Sequence, residues 1–452
     1  MMYKHKLKYN KMKNVLLLIP MLLYSILLSN AQEKRFDFTE YDIDNGMHVI
    51  LYEDHATPVV AVNILYHVGS KNEQADRTGF AHFFEHLMFE GSDNIERGTY
   101  FKYVQNAGGE NNAFTSFDMT SYYEVLPSNQ LELGLWLESE RLMHLKIDSV
   151  GVETQRKVVK EERKARYENQ PYGSFMQSMF ERAFTKHPYH WIPIGEVQYI
   201  DQATLDEFMG FYRKFYVPEN ATLAIAGDID VEKTKKLVEA YFGEIPKSGK
   251  EIYRPNIKEP KQTAEIRDIV YDNIQLPAVF WAYKMPAKGT DDYYALDMLQ
   301  TLLSGGESSR LYKELIDNKQ YAVQVAAFPY GLEDAGLFIV FSLANMGIDL
   351  KDIEKVMQDE IDKVITEGIS EKEFQKLKNT KENDFISSNS KMEGIALSLA
   401  NYYTFYKNTD LINTEIDKYL KVTIDDIVRV AKEYLTTDNR VALYYLPKSE
   451  QN

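Results

Sequence analysis

The sequence predicts an α+β fold of two related halves, each a mainly antiparallel sheet packed with helices. An internal repeat, a linker and the chain length lead there. Thr204-Leu205-Asp206-Glu207-Phe208 opens a helical pattern that runs into Asn220-Ala221-Thr222-Leu223-Ala224-Ile225. Thr423-Ile424-Asp425-Asp426-Ile427 does the same ahead of Asn439-Arg440-Val441-Ala442-Leu443-Tyr444, and both pairs are offset by 219. The same offset lays Pro58-Val59-Val60 on Pro277-Ala278-Val279. Amphipathic helix-then-strand segments resemble one another anyway, but that does not produce a constant offset at both ends. Pro246-Lys247-Ser248-Gly249-Lys250, continuing to Pro255 and Pro260, is polar and punctuated by proline, as linkers are. A chain of 452 residues also exceeds one ordinary domain. The expected boundaries are a leader over 1–31, a first domain over 32–249 and a second over 250–452.

The first 31 residues read as a secretory signal. Lys4, Lys6, Lys8, Lys11 and Lys13 make a basic start, 15–28 is apolar, and Ser29-Asn30-Ala31 supplies the small residues of a cleavage site. The apolar run contains Pro20 and is too short to span a bilayer comfortably, so no membrane span is expected after cleavage. Losing five lysines takes the formal charge from −16 to −21. With no cysteine, the chain has neither disulfides nor the residue that a bacterial lipid anchor modifies. The expected location is the periplasm or the secreted fluid. So negative a chain, without a basic stripe, also argues against nucleic acid as a partner. Next come strands over 47–53, 59–66 and 120–125, and a charged amphipathic helix over about 152–168.

Between the second and third of these strands lies His82-Phe83-Phe84-Glu85-His86, an H-x-x-E-H motif in an apolar stretch bounded by Gly79 and Gly91. Residues four apart share a helix face, so His82 and His86 can offer two imidazoles to one zinc ion. Glu85 then stands where a carboxylate base can activate water. On an ordinary helix, two imidazoles and a carboxylate in so apolar a segment would be costly to bury, and a metal removes that cost.

A zinc site with an open position takes a third protein ligand. Gln155, Val158, Val159 and Glu162 share one face of the charged helix, so Glu162 turns inward if the valines are buried. Glu161, displaced towards the polar side, is the alternative. His187 and His190 flank Pro188 in an expected loop and read as surface or structural residues.

The motif, followed about 75 residues later by a glutamate, resembles the pitrilysin family of inverzincin peptidases, which includes insulin-degrading enzymes and mitochondrial processing peptidases. Gly108-Gly109-Glu110-Asn111-Asn112-Ala113-Phe114-Thr115, with Asp118, Thr120 and Tyr122, is similar to the family's edge strand. Arg156-Lys157-Val158-Val159-Lys160-Glu161-Glu162-Arg163 is similar to the segment carrying its third ligand, with Glu162 in the ligand's place. The resemblance implies a zinc endopeptidase holding one Zn2+ per chain on His82, His86 and Glu162, with Glu85 as base. Peptide substrates would pair as an added strand with Asn112, Ala113 and Phe114. Two halves or two subunits would close like a clamshell.

At offset 219 the motif residues fall on Thr301, Ser304 and Gly305, and no histidine follows His190, so the second half holds no second His-His site. The resemblance also implies an arginine and a tyrosine seven residues apart in the later half. The matching region, with Arg310, Tyr312 and Tyr321, does not yield that pair: Glu314 stands seven residues before Tyr321, and an alternative alignment gives Ile316 and Val323. A dimer is expected, possibly a heterodimer with a homologous subunit that lacks the zinc motif and carries the pair. The alternative is a non-catalytic or structural subunit of the same fold within a heteromeric peptidase.

Overall fold

In the computed structural model residues 35–451 are described, so the expected signal over 1–31 lies outside the described residues. The chain divides into two units after Asp37. Everything below belongs to the second unit, which begins at Phe38.

That unit holds two sheets. The first comprises β1 (Phe38–Asp42), β2 (His48–Glu53), β3 (Val59–Tyr66), β4 (Glu110–Thr115), β5 (Thr120–Pro127) and β6 (Ala221–Gly227), in the order β1-β2-β6-β3-β5-β4. The second comprises β7 (Ile266–Asp272), β8 (Ala278–Met285), β9 (Ala322–Gly331), β10 (Gly336–Ala344) and β11 (Arg440–Pro447), in the order β7-β11-β8-β10-β9. β2 runs parallel to β6 and β7 parallel to β11, and every other pairing is antiparallel. Apart from β1, the two sheets therefore share one topology, strand for strand. The segment 243–265 between them has neither helix nor strand.

The helices repeat as well. In the first half α1 (Phe80–Leu87), α2 (Ser149–Arg163), α3 (Phe175–Ala183) and α4 (Leu205–Phe215) correspond in chain order to α5 (Asp291–Ser304), α6 (Glu371–Ser388), α7 (Met392–Tyr406) and α8 (Ile424–Tyr434). The offset of 219 has a physical content here. Thr204 and Glu207 close a capping box on α4, and Thr423 and Asp426 close the same box on α8. Asn220 then donates to the last carbonyl of α4, Phe215 O at 2.7 Å, and Asn439 to that of α8, Tyr434 O at 2.9 Å.

The halves interlock. α7 of the second half packs on β3 and β6 of the first sheet, while α3 of the first packs on β8 and β11 of the second. The second sheet accordingly has two apolar faces. Phe280, Ala282, Leu337, Ile339 and Leu443 join the first half's core, whereas Val279, Trp281, Phe338 and Val340 face helices of their own half. Polar groups add a latch at the tip of the β9–β10 hairpin. Lys71, 3 % exposed, lies 3.0 Å from Asp118, 2.5 Å from Glu333 and 3.1 Å from Asp334. Among the described residues no helix is long and apolar enough to cross a membrane.

Candidate metal centre and active site

The apolar residues of α1 fix how its histidines point. Phe80, Phe83, Phe84 and Leu87 recur at helical spacing and are buried. Phe83 and Phe84 stack on Phe208 and Phe211 of α4, with ring centroids 4.6 and 5.5 Å apart. The start of α1 is held from outside. Gly79 has φ +92°, and a Cβ there would stand 2.8 Å from Ile194 O. No side chain of its own caps the helix. Instead, buried Glu73 accepts from Gly79 N at 2.9 Å and Ala81 N at 2.8 Å. Burial pushes the Glu73 carboxyl up to about 8, against the pull of those amides.

α2 brings the third group. Asp148 caps it, accepting from Gly151 N at 2.9 Å. The α-helix ends at Arg163 and continues as a π-turn over Lys164–Glu168, so the expected helix is longer at its start and changes winding at its end. Of the two valines expected inside, only Val159 is buried. Val158 is 44 % exposed and lines the cavity beside Glu162. The Glu162 side chain is 17 % exposed and the Glu161 side chain 72 %, with Glu161 paired to Lys164 instead. Glu162 is thus the less exposed of the two, although Val158, expected inside with it, is not buried.

His82, His86 and Glu162 converge. Glu162 Oε2 lies 3.5 Å from His82 Nε2 and 3.2 Å from His86 Nε2, and all three donor atoms fall within 4.8 Å of one another. Ligands about 2.1 Å from a tetrahedral zinc stand roughly 3.4 Å apart, so this N2O set fits the ion. Burial, then the neighbouring His86, lowers the His82 pKa to about 4, leaving the neutral imidazole that can ligate. A hydrogen bond from His86 holds Glu162 below its ordinary value, against burial. The second oxygen of Glu162 is gripped by Arg166 Nη1 at 3.1 Å. Glu85 sits beside this set. Burial raises its pKa, while Thr115 Oγ1 donates to its Oε2 at 2.6 Å and pulls the other way.

These residues line a cavity of about 810 Å³. One wall is β4, paired with β5 on one side and free on the other. Asn112, Ala113 and Phe114 all line the cavity from this strand, and Asn112 Oδ1 covers Ala113 N at 2.9 Å. The opposite wall comes from the second half, with Phe328 and Tyr330 of β9. Arg310, Tyr312 and Tyr321 do not line it. Arg310 is bound to Glu373 at 2.9 Å, and the two tyrosines pack against the second half's own core. His187 caps a 3-10 turn over Pro188–His190 and is buried, with Nε2 3.2 Å from Asp334, whereas His190, the last residue of that turn, is exposed.

The sequence reading did not find Thr115, Arg166 or Glu73, nor the β9 aromatics. Strand alternation from Ala113 points to Thr115, and the i,i+4 relation to Glu162 points to Arg166. Glu73 and Tyr330 carry no local signal, because a loop and another half bring them in.

Two family descriptions match the chain: "Insulinase (Peptidase family M16)" over residues 48–190 and "Peptidase M16 inactive domain" over 202–381. A two-sheet chain of this topology, with an inverted zinc motif on the first helix after β3, belongs to the M16 family of insulinase-type peptidases. Its relatives include the zinc protease PqqE of Helicobacter pylori, 32 % identical over 445 residues, 98 % of this chain and 100 % of the relative. An uncharacterised zinc protease of Mycobacterium bovis is 26 % identical over 87 % of this chain and 90 % of its own. A crystal structure of a protease from Helicobacter pylori superposes with a TM-score of 0.87 at 32 % identity, covering 91 % of this chain and 100 % of that one. An M16 inactive domain from Pseudomonas fluorescens, at 16 % identity and a TM-score of 0.82 over 91 % and 98 %, shares the fold.

Proposed function

We propose that this chain is a zinc-dependent endopeptidase cutting peptides or unfolded segments held as an extended strand. The observation that carries the reading is the convergence of His82, His86 and Glu162 in a cavity that also holds Glu85 and the free edge of β4. Zinc held by those three residues would supply a Lewis acid for the scissile carbonyl and acidify the attacking water. Glu85 takes the proton of that water and returns it to the leaving amine, with Thr115 fixing its orientation. Arg166 holds Glu162 in place. Along β4 the peptide pairs through main-chain bonds, displacing the Asn112 side chain from Ala113 N, which gives affinity with little demand on sequence.

Every metal and base residue lies within or beside the insulinase-type match and none in the span described as inactive, which weighs against a purely structural subunit. Arg310 is engaged by Glu373, and Tyr312 and Tyr321 pack against the second half's own core, so oxyanion donors would come from a partner chain, in a dimer or in a heterodimer with a homologue lacking the motif. Export to the periplasm or beyond is part of the proposal and rests on residues 1–31. The test is mass-spectrometric mapping of cuts in a mixed peptide pool, with and without a chelator. Cleavage that chelation stops and zinc restores supports the reading, and chelator-insensitive cleavage rejects it.

A further inference from the structure

The repeat between the halves breaks at one sheet edge. At the offset of 219, β2 falls on residues 267–272, which belong to β7. In the first sheet β1 covers the outer edge of β2 as an antiparallel strand, from Phe38 on Tyr52 to Asp42 on His48. Among the described residues no strand covers the outer edge of β7. The same offset lays β1 on residues 257–261, and that segment is committed elsewhere. Glu259 accepts from Thr185 N at 2.8 Å and from Lys186 N and His187 N at 2.9 Å, all in the first half. Pro260 has no N–H to give a strand ladder. The chain therefore does not complete its second sheet as it completes its first.

The open edge is poorly guarded. Edge strands usually carry charges that keep other strands away. Here Arg267 is turned to Glu354 at 3.0 Å and Glu265 at 3.1 Å, and Asp268 to Arg182 at 2.7 Å. Between these engaged charges and Tyr271 stands Ile269, 45 % exposed at the middle of the strand. Asp268 Oδ1 covers Ile269 N at 2.8 Å, as Asn112 Oδ1 covers Ala113 N on the free edge of β4. The main-chain groups of Ile269 thus point away from β11, and by alternation so do those of Arg267 and Tyr271.

We propose that β7 is a self-association edge, pairing antiparallel about Ile269 with β7 of a second copy of this chain. The strand is complementary to itself in that register. Ile269 meets its own copy, Arg267 lies opposite the partner's Tyr271, Asp268 opposite the partner's Val270, and Ile266 opposite the partner's Asp272. No like charges stand directly opposite, and an arginine beside a tyrosine ring is favourable. The two Asp268 side chains approach only diagonally, each held by its own Arg182. Main-chain bonds at Arg267, Ile269 and Tyr271 then join two sheets into one across a two-fold axis. β7 and β9 are opposite edges of the second sheet, so this contact leaves the metal cavity free and does not depend on the peptidase reading.

Sedimentation equilibrium of the full chain across the micromolar range should show a reversible monomer–dimer equilibrium. Ile269→Lys sets two like charges face to face and should weaken the dimer at least about tenfold, at unchanged Tm and zinc content. The natural chain has no cysteine, so Ile269→Cys gives a single reporter. Paired residues at that register have Cα atoms about 5.5 Å apart, within disulfide reach. Mild oxidation should link Ile269→Cys chains in pairs much faster than chains carrying Val150→Cys, at a position in the first half that is 58 % exposed. A chain that stays monomeric throughout overturns the proposal. So does a dimer that Ile269→Lys leaves equally tight, or linkage of Ile269→Cys no faster than that of Val150→Cys.

Discussion

At the scale of single residues, Glu85 and Glu162 answer to different measurements because they do different things. Glu85→Gln keeps the three donors and removes the base, so bound zinc should stay near one per chain. Cleavage should fall by at least about a hundredfold. Loss of zinc in that variant would move Glu85 into the ligand set. Glu162→Gln should lower zinc occupancy and activity together, since its Oε2 lies within 3.5 Å of both imidazoles. Glu161→Gln, solvated beside Lys164, should change neither; metal analysis of the two purified variants separates these outcomes. Both glutamates were legible in the sequence through helical phase. Thr115 and Arg166 were less so, because a hydroxyl and a guanidinium acquire their roles only when a carboxylate is brought to them.

At the scale of elements, α1 is a short helix whose first turn depends on a residue outside it. Removing the Glu73 side chain leaves the amides of Gly79 and Ala81 without an acceptor in a buried place. Glu73→Ala should therefore cost about 1–3 kcal/mol and loosen the metal helix. The check is a lower Tm together with weaker zinc affinity in a competition titration. An unchanged zinc affinity would mean that the aromatic stack on α4 alone fixes α1. The capping boxes of α4 and α8 show the other side of the same physics. They are read directly from Thr204 and Thr423, because a capping box needs only residues three apart.

At the scale of the whole molecule, exchanged helices and the Lys71 latch join the halves. Glu333 is pushed up by burial, yet the bond from His67 and the charges of His67 and Lys71 outweigh this and hold it at about 2. A depressed carboxylate contributes stability that is present above its ordinary pKa and lost as pH falls towards the folded value. The latch should therefore weaken between about pH 4.5 and 2, by on the order of 2–3 kcal/mol. Glu333→Gln should show a flatter fall in Tm over that window, and identical pH profiles would remove Glu333 from the joint. Within the second half itself Arg310 is committed to Glu373, away from any oxyanion role. The chain alone is expected to cut peptides poorly, and co-expression with a homologue that carries the arginine–tyrosine pair should restore activity. High activity from the purified single chain would reject the need for a partner.

The sequence by itself determined the two-halved α+β fold, the H-x-x-E-H motif on α1 and which of Glu161 and Glu162 is the less exposed. Each depends on spacing along the chain, which a repeat or a helix turns directly into geometry. Only the tertiary structure decided that Val158 faces the cavity rather than the core, that Glu73 caps α1, and that β9 walls the site. Those outcomes depend on which surfaces meet across more than a hundred residues of chain, or, for Glu73, on the path of a loop. Periodicity along one element does not encode where another element will lie.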